Sequence, residues 1–203
     1  MTQVSDKDRF WFDTEFIEDG KTIDLISIGI VAEDGREYYA EAAECDLSRA
    51  DPWVRENVIV HLTGEKKPRA QIASEIVAFV GGKPEFWAYY ADYDWVALCQ
   101  LYGRMIDLPK GWPMFCLDVK QLAVAAGNPT LAEQKSTEHH ALADARDTRA
   151  KWVFAQDAIA SAPGLKAKVA ELEKGLSPLL RRQLAIRAAV AATLESPDTG
   201  PKD

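Results

Sequence analysis

The chain has 203 residues, 47% of them hydrophobic, which is enough for one sizeable core and points to a single domain. With 24 Lys and Arg against 32 Asp and Glu it carries a net charge of -8, which excludes a broadly basic coat for polyanions. The charged and aromatic content excludes a disordered or collagen-like chain. Its three cysteines, Cys45, Cys99 and Cys116, are widely spaced with no CxxC pair, so neither a disulfide framework nor a structural zinc site is expected. The opening MTQVSDKDRF has no apolar export core and no run is long enough for a membrane span, which together suggest a cytoplasmic protein that does not bind membranes.

Arg9 to Phe16 is aromatic-rich and strand-like, but two acids interrupt its second half. Ile23 to Val31 is a second strand, Glu33-Asp34-Gly35 a turn, and Arg36 to Ala43 a third strand, together an antiparallel meander. Asp51-Pro52 caps and opens a helix carrying Val54, Val58, His61 and Leu62 at helical spacing. A second stripe, Ile72, Ile76, Val77 and Val80, ends at Gly81-Gly82. Glu85 to Tyr90 reads as a strand and Tyr93 to Met105 as a helix, with Val96, Ala97, Leu98, Leu101, Tyr102 and Met105 toward the core. Met114 to Leu117 is a short buried strand, and Leu142 to about Ala160 one long helix with Trp152, Val153 and Ile159 inward. Ala162-Pro163-Gly164 breaks that helix, Ser177-Pro178 opens a last one, and 196–203 reads as a disordered tail. Hairpin strands followed by alternating helices and strands imply a mixed five-stranded sheet covered by helices, an α/β domain over 1–195 with C-terminal helices over 163–195.

Three groups of residues carry chemistry. Asp13 and Glu15, two apart in a strand, point to one face, where they repel each other unless a cation or proton joins them; a solvated face would also suit such a pair. Asp94 closes YYADYD between a strand and a helix, a position that suits a helix cap as well as the ligand-binding end of an α/β sheet. His139 and His140 lie just before the long helix and Asp144 in its first turns, which supplies a candidate general base beside a fourth carboxylate. Together these residues make a set suited to two hard divalent cations and to in-line phosphoryl displacement, with histidine deprotonating the attacking water.

FDTE, YADYD and HHALADA, in that order, resemble the three motifs of the DEDDh family of 3′-5′ exonucleases, which has an RNase H-like fold. The resemblance implies Asp13, Glu15, Asp94 and Asp144 as metal ligands and His139 as general base, with His140 at a variable position. FWFDTEF, IDLISIGIV, AYYADYDWVALCQLYG and EHHALADARDTRAKW are similar to the RNase AS type of exoribonuclease known from mycobacteria. That type implies a homodimer that uses Mg²⁺ or Mn²⁺ on single-stranded, adenylate-rich RNA 3′ ends and releases nucleoside 5′-monophosphates. Tyr89-Tyr90 departs from the His-Asn often found before the middle aspartate, which leaves the metal ligand in place but weakens an inference about substrate grip borrowed from proofreading enzymes. The resemblance fades after about residue 155.

Phe16, Trp53, Tyr93, Trp95 and His140 are candidate substrate contacts, and Asp147 reads as a supporting acid rather than a fifth ligand. Two other readings remain: a DNA exonuclease of the same fold, and a non-catalytic nucleic-acid-binding module. The segment from Leu165 to Arg187 holds six basic and two acidic residues and reads as a solvated helix face rather than a path for RNA.

Overall fold

In the computed structural model the described residues are 8–131, 133–134 and 137–161. Contacts divide the chain into two compact units, Met1–Ala158 and Ile159–Asp203. The expected helices over 163–195, the tail over 196–203 and the basic segment lie outside the described residues.

The first unit is built on β1 (Arg9–Glu18), β2 (Ile23–Ala32), β3 (Glu37–Ala42), β4 (Lys66–Lys67), β5 (Glu85–Ala88) and β6 (Leu117–Asp118), in the sheet order β4-β3-β2-β1-β5-β6. The β1–β2–β3 pairs are antiparallel, as the hairpin signals require; β3–β4, β1–β5 and β5–β6 are parallel. The sheet thus has six strands rather than the expected five. The added strand is the two-residue β4, whose Lys66-Lys67 carries no apolar signal and is recruited by pairing with Glu41 and Ala42. The last strand is displaced from Met114–Leu117 to Leu117–Asp118, which pair with Trp87 and Ala88 of β5; Met114 and Phe115 are exposed.

Alternation along β1 separates two apolar layers. Phe10 and Phe12 join Ile26, Ile28, Ile30 and Phe86 in the main core, with Ile72 and Ile76 of α2 (Arg69–Val80) and Leu98 of α3 (Asp92–Gln100). Trp11 points the other way, to Trp87, to Val119 at the start of α4 (Val119–Ala125) and to Trp152 of α5 (Ala141–Ser161). Trp152 packs edge-on to both Trp11 and Trp87, at 5.2 and 5.8 Å between ring centres. α4 was not foreseen; Asp118, which ends β6, caps it by accepting the Gln121 N–H at 2.7 Å.

The buried faces of α3 and α5 differ from those expected. Ala97 and Leu98 are buried, but α3 stops at Gln100, and Val96 and Met105 are exposed. In α5 the buried side is Ala141, Ala145, Thr148 and Ala155, which leaves Val153 outward beside Trp152. The cap foreseen at Asp51 of α1 (Pro52–Asn57) is present: its carboxylate accepts the Val54 N–H at 2.8 Å.

One contact sets the position of α5. Gly29 of β2 is paired with Asp13, and a Cβ there would lie 2.3 Å from the backbone of Leu142. Lacking that atom, Gly29 lets the first turn of α5 rest on the sheet beside Asp13.

Candidate active site

Pairing between β1 and β5 ends at Trp11 and Trp87, so β1 runs on past the carboxyl end of β5. Asp13 and Glu15 lie on that overhang, where the chain leaves β5 and turns into α3, the location at which open α/β sheets bind ligands. Alternation gives the two acids one face, and a bulge after Glu15 shifts the register before Phe16.

Asp94 arrives from the first turn of α3 and is buried. One of its carboxylate oxygens accepts both the backbone N–H of Thr14, at 2.8 Å, and the Thr14 hydroxyl, at 2.6 Å. Asp144 arrives from the first turn of α5. It accepts the backbone N–H of His139 at 2.9 Å and a hydrogen bond from the Gln134 side chain. His139 holds a left-handed backbone (φ 63°), as does Tyr90 on another part of the wall (φ 60°). Neither is a glycine, so each carries local strain of the kind that collects at functional sites.

These residues line one cavity of about 960 Å³. It gathers Asp13 and Glu15 from β1, Asp94 from α3, His139 from the loop before α5 and Asp144 from α5. Burial raises the affinity of all four carboxyls for protons, and repulsion from neighbouring acids adds to it at Asp13, Glu15 and Asp94. Asp13 is raised well above the carboxylate range by burial, then by Asp94, Glu15 and Asp144. Glu15 is pushed up to about 8 by burial, Asp144 and Asp94. Asp94 is raised to about 7 by burial, against the opposing hydrogen bonds from Thr14. Asp144 is raised by burial, partly offset by Gln134 and His139.

Such a cluster is satisfied by protons or by cations. Glu15, His139 and Asp144 each offer a ligand atom within 4.8 Å of the others, so the two carboxylates fit a hard divalent cation with the His139 imidazole beside it. Asp13 and Asp94 are outside that tightest group, and one Asp94 oxygen is already committed to Thr14.

The candidate substrate contacts divide. Phe16 and Tyr93 stack on each other across 5.7 Å, Trp53 stands edge-on to His139 at 4.8 Å, and all three line the cavity. Trp95 does not: it packs on Phe86 in the main core. His140 lies flat on Tyr39 at 4.6 Å, away from the lining, because α5 begins at the next residue and turns it toward β3. Sequence reading missed Thr14, Gln134, Tyr89, Tyr90 and Lys151. Lys151 had a usable signal, since it lies seven residues after Asp144 and therefore on the same helical face; Gln134 had none.

A family model described as the 3′-5′ exoribonuclease Rv2179c-like domain matches residues 8–156, which includes every residue of the cavity. The chain belongs to this family. Two relatives in Mycobacterium tuberculosis, the 3′-5′ exoribonuclease Rv2179c of strain H37Rv and the 3′-5′ exoribonuclease MT2234.1 of strain CDC 1551, are each 46% identical to it over 147 residues. The aligned segment covers 68% of this chain and 88% of each relative. In this Rv2179c-like chain no described helix is long and apolar enough to cross a membrane.

Proposed function

We propose that this chain is a metal-dependent 3′-5′ exoribonuclease on an RNase H-like fold, hydrolysing single-stranded RNA to nucleoside 5′-monophosphates. The observation that carries the reading is the convergence of Asp13, Glu15, Asp94 and Asp144 with His139 in one cavity of a chain belonging to an exoribonuclease family. Glu15 and Asp144 would hold a divalent cation, Mg²⁺ or Mn²⁺, and Asp13 and Asp94, which line the same cavity, would complete sites for two. When bound, such ions neutralise charge on the attacking and leaving oxygens of an in-line displacement.

The protein's own groups supply the rest. An imidazole nitrogen of His139 takes the proton of the attacking water; the strained backbone at His139 and the near-perpendicular indole of Trp53 fix the direction of the ring. Thr14 holds Asp94 in place through its two hydrogen bonds. Phe16 and Tyr93 form a platform for the terminal base, and stacking of that kind is worth about 1 to 3 kcal/mol per base. Preference for adenylate-rich 3′ ends follows from the resemblance to the RNase AS type. Preference for RNA over DNA requires a contact to the 2′-hydroxyl.

The test is digestion of single-stranded RNA and DNA of equal sequence by the wild-type chain and by Asp13→Ala and His139→Ala, with folding followed by thermal melting. Loss of nucleotide release in folded variants is expected. Unchanged turnover in both variants would refute the catalytic assignment, and faster DNA cleavage would refute the choice of RNA.

A further inference from the structure

The cavity wall formed by α5 is a stripe. Asp144, Asp147, Thr148 and Lys151 follow one another at helical spacing and all four line the cavity. Among the described lining residues there are nine carboxylates, and Lys151 is the one lysine or arginine. A cation long enough to reach solvent is instead held inside: its side chain is 20% exposed, its ammonium lies 2.5 Å from Asp147, and it sits 4.3 Å from the centre of the Tyr89 ring. Its charge reaches Asp13, where it opposes the repulsion of the other acids.

Three features argue that this lysine does more than neutralise Asp147. An ammonium group has three protons to donate, and a single carboxylate and one ring face leave donor capacity on a residue that lines the cavity. Tyr89 and Asp147 grip it from two sides, which lowers the entropy lost when a ligand binds. The helical rise places residue 151 about 10 Å along the axis from residue 144, so it meets a strand away from the Glu15, His139 and Asp144 group.

We propose that Lys151 binds a backbone phosphate of the RNA strand, with Asp147 and Tyr89 as its positioning residues. The proposal rests on the exoribonuclease reading above. It assigns the acidic cavity its own cationic contact to a polyanion, and it explains why α5 carries a lysine facing a site that otherwise favours acids.

The test is steady-state hydrolysis of a 5′-labelled single-stranded RNA by the full chain at fixed Mg²⁺ over a range of KCl concentrations, with Lys151→Met and Lys151→Arg beside wild type. Loss of one phosphate contact is expected to raise KM about tenfold with little change in kcat, and to make the slope of log kcat/KM against log salt shallower by about 0.7. Lys151→Arg should restore the slope. If Lys151→Met fails to fold, Lys151→Gln carries the same comparison. A slope unchanged from wild type, whatever happens to KM or to the melting temperature, would overturn the proposal by leaving Lys151 a purely structural partner of Asp147. Absence of RNA hydrolysis by the wild-type chain would instead refute the functional reading on which it rests.

Discussion

Thr14 holds Asp94 by two hydrogen bonds to the same carboxylate oxygen, at 2.8 Å from its backbone N–H and 2.6 Å from its hydroxyl. The two residues are 80 apart in the chain, so this pair ties the overhang of β1 to the start of α3. It also opposes part of the effect of burial on Asp94, since both bonds favour the charged form. In Thr14→Val the backbone bond remains and the hydroxyl is lost. The variant should be destabilised by about 2 kcal/mol. Its activity should fall and the acidic limb of its pH–rate profile should move to higher pH, which denaturant titration and rate measurements would read.

Gly29 and Leu142 make a second exacting contact. A Cβ at Gly29 would lie 2.3 Å from the Leu142 backbone, and backbone cannot yield as the end of a flexible side chain can. Gly29→Ala must push the first turn of α5 away from the sheet, at about 3 kcal/mol or more. Because that turn carries Asp144, the displacement should reduce activity even at temperatures where the variant is fully folded. Wild-type activity in Gly29→Ala would show that the close approach is dispensable.

Much of this was legible in the sequence, and the reasons are specific. The hairpins of β1, β2 and β3 announce themselves by apolar runs and an Asp-Gly turn, and the cap at Asp51 by its proline. The acids of the site were legible because three short motifs each place a carboxylate where an element begins or a strand overhangs. What was hidden depends on tertiary pairing. β4 has no strand pattern and exists through its pairing with β3, and Gln134 reaches Asp144 from a polar segment with no periodicity. Trp95 and His140 looked like site aromatics by proximity in sequence, but the direction of their side chains is set by α3 packing on Phe86 and by α5 beginning at Ala141.

Without metal, the acid cluster makes stability depend on pH. Glu15 is raised to about 8 and Asp94 to about 7, so the folded chain binds more protons than the unfolded chain above the ordinary carboxylate range. Their contribution is fully present below the unfolded values and is lost as pH rises through the folded ones. In excess chelator the melting temperature should therefore fall between pH 5 and pH 8 (about the window these shifts define), and Mg²⁺ should restore more stability at the alkaline end. A metal-free melting temperature that rises across that window would contradict the electrostatic picture.

Trp53 is half exposed yet stands edge-on to His139, 4.8 Å between ring centres. An aromatic pair of this geometry is worth about 1 kcal/mol beyond its buried area, enough to bias the imidazole toward one orientation. Trp53→Ala should lower kcat about tenfold with little effect on melting, and Trp53→Phe should recover most of the loss. Equal kcat values in all three proteins would remove Trp53 from any role at His139.

The proposed reaction needs a metal ion held by Glu15 and Asp144 beside His139. The most direct measurement is digestion of 5′-labelled single-stranded RNA with Mg²⁺, with and without EDTA, by wild type and by Asp144→Asn. The expected result is a ladder shortening one nucleotide at a time from the 3′ end, with release of 5′-monophosphates, abolished by EDTA and by the substitution. A ladder that persists in EDTA, or an undiminished one from Asp144→Asn, would contradict it.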